Sequence, residues 1–335
     1  MKDLQVMTIG GATFDLFVRT GGAASAGAGG QERELRFPVG AKIGVEQIIE
    51  TCGGGASNTA VGLSRLGCAV AFCGVVGNDQ WGERMLKNLR ENGVDASPAT
   101  VVEDENSSSS IILSVESGER IILYNAGSTV HLHDVTFDRA EAQERDWIYL
   151  THLQKAGREI MDDLAAMTGG EGRIGLTWNP GGTQVNAGWD AQENRALLAH
   201  TDILLLNKEE ALGFTRTATV EDALRTLLKA GVKTVCVTDG KDGATATDGT
   251  QVFHCPPPED VEVTDTTGAG DAFGTGLTWA ILNGLDLPTA LRTGTINATS
   301  VLGSIGAQAG LLTNTEMTKR LSSLQLPVQS HPLHS

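Results

Sequence analysis

Short runs of consecutive apolar residues recur along the chain without polar alternation: LQVMTIG (4–10), AVAFCGVVG (69–77), DWIYL (146–150), RIGLTWN (173–179), ILLLN (203–207) and VKTVCVTDG (232–240). Between them lie segments that read as amphipathic helices, such as SNTAVGLSRLG (57–67), DQWGERMLKNLRENG (79–93) and TVEDALRTLLKAG (219–231). A strand that does not alternate is buried on both faces, and such strands interleaved with helices describe a parallel sheet covered on each side. The pattern predicts a doubly wound α/β domain, in which ligands bind beyond the carboxyl ends of the strands.

Two regions break this rhythm. Residues 20–35, TGGAASAGAGGQEREL, are low in complexity and read as a flexible insertion or an extended hairpin tip. Residues 109–125 alternate apolar and polar on either side of ESGE, a hairpin signature. This hairpin (105–127) and the extended chain at 12–50 are expected to form a small β lid over a single domain spanning 1–335, and the tail 326–335, which lacks periodicity, is expected to fray.

Composition narrows the function. Hydrophobic residues at 40% and charged residues at 20% suit a soluble globular chain, and aromatics at 4% leave the core to aliphatic residues. With 25 basic against 41 acidic residues the formal charge is −16, which disfavours nucleic acid and anionic membrane as partners. An anionic ligand would need a local site of amides, cations or metal. The five cysteines form no C-x-x-C pair and read as free thiols in a reducing compartment, and the apolar run after MKDL is too short for a signal or a membrane span. The cytoplasm is the expected location.

The chemistry concentrates in VEVTDTTGAGDAFGTGLTWAILNG (261–284). A strand ends near Thr264, and a helix is predicted from about Gly270 to Asn283, with Phe273, Leu277, Ala280 and Ile281 on one apolar stripe. Gly268, Ala269 and Gly270 would present unpaired N–H groups without bulk, a cradle for an anion. Asp271 follows in the first helical turn. It either complements the helix dipole or acts as general base for a hydroxyl attacking a phosphoryl group held at the cradle. No G-x-x-x-x-G-K-[ST] is present, and GAGDAFG has the wrong glycine spacing for a dinucleotide fold.

DTTGAGDAF resembles the C-terminal signature of the PfkB/ribokinase family of carbohydrate kinases, and GGGASNTAVGLSRLG with GVVGNDQWG resembles its N-terminal signature, in the family's order over roughly residues 5–315. The resemblance implies a ribokinase-like fold and ATP-dependent phosphorylation of a sugar with Mg²⁺. It places Asp271 as catalytic base and Gly268, Ala269 and Gly270 as the anion hole. It assigns Asp15, in GGATFD, to substrate hydroxyls, together with Gly53, Gly54 and Asn58. Asn207 and Glu210 of NKEE match the motif that holds the water shell of phosphate-bound Mg²⁺, although the same spacing is a capping box. Thr238, Gly240 and Gly243 of TDGKDG match the nucleotide loop, Asn297 the adenine-side asparagine, and Asn179 a residue facing the phosphates. Many relatives hold a monovalent cation, usually K⁺; Asp265 and the Thr267 carbonyl match two of its ligands, with carbonyls between Gly303 and Ala307 as the remainder.

Departures from that pattern bear on the substrate. Gly55 stands where ribokinases proper have lysine, and the strand ending IYLTHLQ lacks their glutamate, so a ribose-specific site is not supported. No basic cluster for a sugar phosphate is evident, and Arg120 reads as a solvated residue at the hairpin tip. A neutral, hydroxyl-rich acceptor is expected, either a free sugar or the ribose of a nucleoside. The nucleoside alternative needs an apolar slot, for which Phe14, Phe17 and Tyr124 are candidates, and the alternative outside enzymes is a sugar-binding regulator that has lost chemistry. Pairing of two copies through the lid is a further implication of the resemblance.

Overall fold

The computed structural model describes residues 4–20, 25–29, 32–114, 120–132, 137–153, 158–169 and 174–333. The ESGE hairpin tip and parts of the 20–35 insertion lie outside the described residues. Of that insertion, Ser25–Gly29 and Glu32–Arg36 form an antiparallel pair.

All the apolar runs become strands of one nine-stranded sheet. Gln5–Ile9 lies between Ala69–Cys73 and Trp147–Leu150, and Gly175–Trp178, Ile203–Asn207 and Thr234–Thr238 continue the sheet, each pair parallel. These strands are almost wholly buried because helices cover both faces. Gly55–Arg65, Ala269–Leu282 and Leu287–Val301 pack into one apolar core, and Arg158–Thr168, Lys208–Thr215 and Val220–Lys229 into the other. Among the described residues no helix is long and apolar enough to cross a membrane.

The far edge is antiparallel: Ala244–Thr247, Gln251–Cys255 and Gln329–Pro332 follow in order. The tail expected to fray therefore contributes an edge strand at Gln329–Pro332. An edge strand bonds through its backbone and keeps its side chains in water, so it carries no apolar period to read.

A second sheet of four strands lies over the carboxyl ends of the first, in the order Arg120–Asn125, Ser109–Ser114, Thr13–Thr20 and Val45–Gly53. Its registers align three rows on one face: Thr51, Asp15, Ser110 and Tyr124; then Ile49, Phe17, Ile112 and Ile122; then Gln47, Arg19, Ser114 and Arg120. Members of all three rows line the cavities beneath the sheet. On the opposite face Ile48 and Leu123 are 55% and 52% exposed.

Candidate active site

The Ala269–Leu282 helix begins one residue before the predicted start, capped by Gly268 in the left-handed region at φ 77°. A Cβ on Gly268 would lie 2.3 Å from the Ala307 Cβ, so only glycine lets the turn seat against the 303–307 loop. The Ala269 N–H closes a turn on Thr266 O at 3.3 Å, whereas the N–H groups of Gly268, Gly270 and Asp271 meet no acceptor among the described residues. Relative to expectation, Asp271 thus replaces Ala269 among the free amides of the cradle. A Cβ on Gly270 would meet nothing within 4 Å, which leaves open space where an anion would sit.

Asp271 is half-buried, and desolvation pushes its carboxyl up to about 6 against the opposing hydrogen bond from Asn58. The Asn58 amide donates to Asp271 Oδ2 at 2.8 Å. Asn58 lies within the Gly55–Arg65 helix rather than at its N-cap, which is Gly54. Its orientation is set by Gln308, whose Nε2 donates to Asn58 Oδ1 and to Ser57 Oγ, each at 3.1 Å, while Gln308 Oε1 accepts from Asn88 at 2.8 Å. Sequence reading missed Gln308. Its only signal was a long amide among the small residues of GAQAG, and its partners lie 220 and 250 positions away.

Two cavities share the 266–271 turn as a wall. The smaller, about 240 Å³, is lined by Asp15, Asn58, Ser110, Ile112, Thr267, Gly268 and Asp271 among others. Burial pushes Asp15 up to about 6, with the Asp265 charge adding to the rise and the Ser110 hydroxyl opposing it. The expected opening of backbone to substrate at Gly53 and Gly54 takes a different form. A Cβ on Gly53 would lie 2.2 Å from Asp15 Oδ2, and one on Gly54 2.6 Å from Gly11 O, so these glycines make room for Asp15 and its strand. Gly54 still borders the small cavity.

The larger cavity, about 640 Å³, lies across the turn and is lined by Thr238, Gly240, Gly243, Ala269, Gly270, Phe273 and the 256–258 prolines among others. The nucleotide-loop residues are therefore brought together with the cradle. Asn297 is not: it is 1% exposed, its Nδ2 donates to Ala272 O and its Oδ1 accepts from Leu312 N. Both ends of this amide stitch the helices, and Thr295, Ala298 and Thr299 face the cavity in its place. Asn179 similarly spends its side-chain donor on Leu205 O at 3.0 Å and borders neither cavity.

Asn207 ends its strand in register with Thr238. With Glu210 it forms the capping box: Glu210 N donates to Asn207 Oδ1 and Asn207 N to Glu210 Oε2. Burial raises the Glu210 pKa above its ordinary value, opposed by the Asn207 N–H. Among the described residues the box leaves Glu210 Oε1 unengaged. Neither Asn207 nor Glu210 lines either cavity; a single carboxylate suits hydrated Mg²⁺, which keeps several waters, only as a ligand held through water. Among the described residues no cluster of three or more His, Cys, Asp or Glu offers a cage of its own.

Of the expected monovalent-cation ligands, the Asp265 carboxylate is engaged by protein donors. Asp265 Oδ1 accepts from Thr267 N at 3.0 Å, Thr267 Oγ1 at 2.8 Å and Arg120 Nη1 at 2.5 Å, and Oδ2 accepts from Gly306 N at 3.0 Å. Arg120, expected in solvent, is thus bound to the carboxylate that was to hold a cation.

A doubly wound sheet and a half-buried carboxylate on a turn between two cavities suit a phosphotransferase with a hydroxyl acceptor. Residues 31–314 match the model of the pfkB family carbohydrate kinases, and the chain belongs to that family. Kinases of this family use ATP. An uncharacterized sugar kinase of Archaeoglobus fulgidus is 29% identical over 255 residues, covering 75% of this chain and 98% of the relative. The ribokinase of Bacillus subtilis is 28% identical over 270 residues, covering 81% and 87%. In fold, the adenosine kinase of Sinorhizobium meliloti superposes with a TM-score of 0.77 at 22% identity, covering 95% of this chain and 99% of that one.

Proposed function

We propose that the protein transfers the γ-phosphate of ATP to a hydroxyl of a neutral, monosaccharide-sized acceptor, with Asp271 as general base. The observation that carries this reading is the 266–271 turn, which presents free amides and Asp271 at the junction of two cavities. The acceptor sits in the smaller one, where Asp15 takes hydrogen bonds from its hydroxyls. Asn58 holds Asp271 Oδ2, which leaves Oδ1 to receive the proton as the hydroxyl oxygen attacks. The amides of Gly268 and Gly270 bear the charge that develops on the phosphoryl oxygens. Glu210 would hold Mg²⁺ through water, and that ion would help neutralise the phosphates. The small sheet acts as a lid, and its buried Ile112 keeps water from the phosphoryl group.

A cavity of about 240 Å³ lies below the usual range of about 300–1,000 Å³ for ligand pockets and favours a single sugar ring. The nucleoside reading rests on an adjoining cavity of about 250 Å³ that includes Phe17, Ile49 and Ile112. Phe14 lends it nothing, because its ring stacks on Trp81 at 5.6 Å with the Arg84 guanidinium 4.7 Å from its centroid. A coupled ADP-release screen over free pentoses, hexoses and nucleosides separates the two. Turnover is expected with a free sugar; turnover confined to nucleosides, or none at all, would overturn the assignment.

The cytoplasm is the proposed compartment, supported by the five free cysteines. A homodimer through the lid is supported by Ile48, Ile111, Ile121 and Leu123, which leave its outer face apolar and exposed. Sedimentation velocity is expected to show a dimer for the wild type and a monomer for the Ile48→Lys, Leu123→Lys double variant. A wild-type monomer at micromolar concentration would end the idea.

A further inference from the structure

Arg120 is the first residue of the lid strand Arg120–Asn125, and its guanidinium leaves the lid for the loop below. Nη1 lies 2.5 Å from Asp265 Oδ1, and Nη2 donates to Thr266 Oγ1 at 3.0 Å. Asp265 is only 5% exposed, so its charge cannot be left to bulk water. Burial would raise its pKa, but hydrogen bonds from Gly306, Thr267 and Arg120 outweigh burial and hold the carboxyl below its ordinary value. It is therefore an anion that needs a counter-charge.

A metal ion binds through oxygen lone pairs, and N–H or O–H donors occupy both carboxylate oxygens of Asp265. An arginine, always protonated, supplies charge and donors together, with a fork that also reaches Thr266. The placement matters beyond neutralisation. Asp265 joins the 264–268 turn, through Thr267, to the 303–307 loop, through Gly306, and Gly268 seats on Ala307 between them.

We propose that Arg120 takes the place of a monovalent metal ion at Asp265: a positioning residue on the lid whose guanidinium fixes the turn that carries the phosphoryl cradle. This rests on the phosphotransfer reading for its catalytic consequence, but the assignment of the charge rests on the geometry alone. When the lid lies over the acceptor, its arginine completes the carboxylate's shell and the Gly268 amide is held in place. When the lid lifts, Asp265 loses its counter-charge. Ordering of the cradle is thereby tied to the presence of acceptor under the lid.

The test compares wild type, Arg120→Met and Arg120→Lys in potassium chloride and in tetramethylammonium chloride of equal ionic strength. Thermal melting is read without substrates, and turnover with ATP and the acceptor found by the screen. Wild-type Tm is expected to be the same in both salts, with kcat agreeing within about twofold. In tetramethylammonium, Arg120→Met is expected to lose at least about tenfold in kcat, with KM for the acceptor changed less. Added K⁺ or millimolar guanidinium should restore part of that loss and raise the variant's Tm, as binding to the folded state requires. Arg120→Lys should fall between, retaining charge without the fork.

A wild-type Tm or kcat raised several-fold or by several degrees by K⁺ would overturn the assignment, because the carboxylate would then be holding a diffusible ion. So would an Arg120→Met variant that matches wild type in both salts. Should Arg120→Met fail to fold, the wild-type comparison and Arg120→Lys decide. Absence of turnover with every acceptor would count against the kinase reading, while the melting curves alone would still decide the place of Arg120.

Discussion

Replacing Asp271 by asparagine is expected to lower kcat by about a hundred- to ten-thousandfold, the range that a general base contributes, with ATP affinity nearly intact. Asparagine keeps the size of the side chain and can still accept the Asn58 amide through its Oδ1, so the pocket should hold its shape. What it loses is the capacity to take a proton. The stability of the variant is a second readout. The folded pKa of Asp271, about 6, exceeds its unfolded value of 3.8, so its contribution to stability is fully present below pH 3.8 and lost as pH rises through about 6. At pH 8 the charge costs on the order of 3 kcal/mol, and the neutral asparagine should remove that cost and raise Tm. An inactive variant that melts higher than wild type would point to lost chemistry rather than lost fold. Retained turnover would sink the general-base role. The wild-type pH profile carries the same logic, with kcat/KM falling below about pH 6 as Asp271 takes up a proton. Asp15, also raised to about 6, should make KM for the acceptor rise over the same range.

The parallel strands announced themselves because a strand buried on both faces has to be apolar throughout, and every such run became a strand. Asp271 and the glycine turn were legible because helix-end chemistry is local: Gly268, Gly270 and Asp271 lie within four consecutive positions. The contact that orients the base is not local. Asn58 and Asp271 are 213 positions apart, and Gln308 joins them from a third segment, so no spacing rule reaches it. Arg120 misled for the same reason, since a polar residue beside a hairpin tip is solvated unless a partner 145 positions away claims it. Asn297 shows the converse. A buried amide reads the same in sequence whether it faces a ligand or ties two helices together, and here Ala272 and Leu312 take both of its ends.

Gly268→Ala should produce the second large effect, and the site's geometry says why a single methyl group suffices. At φ 77° any residue with a Cβ is strained by about 1–2 kcal/mol, and here the Cβ would also lie 2.3 Å from the Ala307 Cβ and 2.7 Å from its Cα. Backbone cannot yield as a side chain would, so the turn has to move off the 303–307 loop. The Gly268 amide moves with it, and loss of one such donor typically costs about a hundred- to thousandfold in kcat. Gly270→Ala is the matched control: it adds the same methyl two residues on, at negative φ and into open space, and should leave Tm unchanged. Its methyl group would intrude only on an anion, so the expected loss is in affinity for ATP. If Gly268→Ala kept wild-type kcat, the turn would not be bearing charge in the transition state. If Gly270→Ala bound ATP as wild type does, the phosphate would lie elsewhere. Together the two variants separate the glycine that shapes the cradle from the one that leaves it empty.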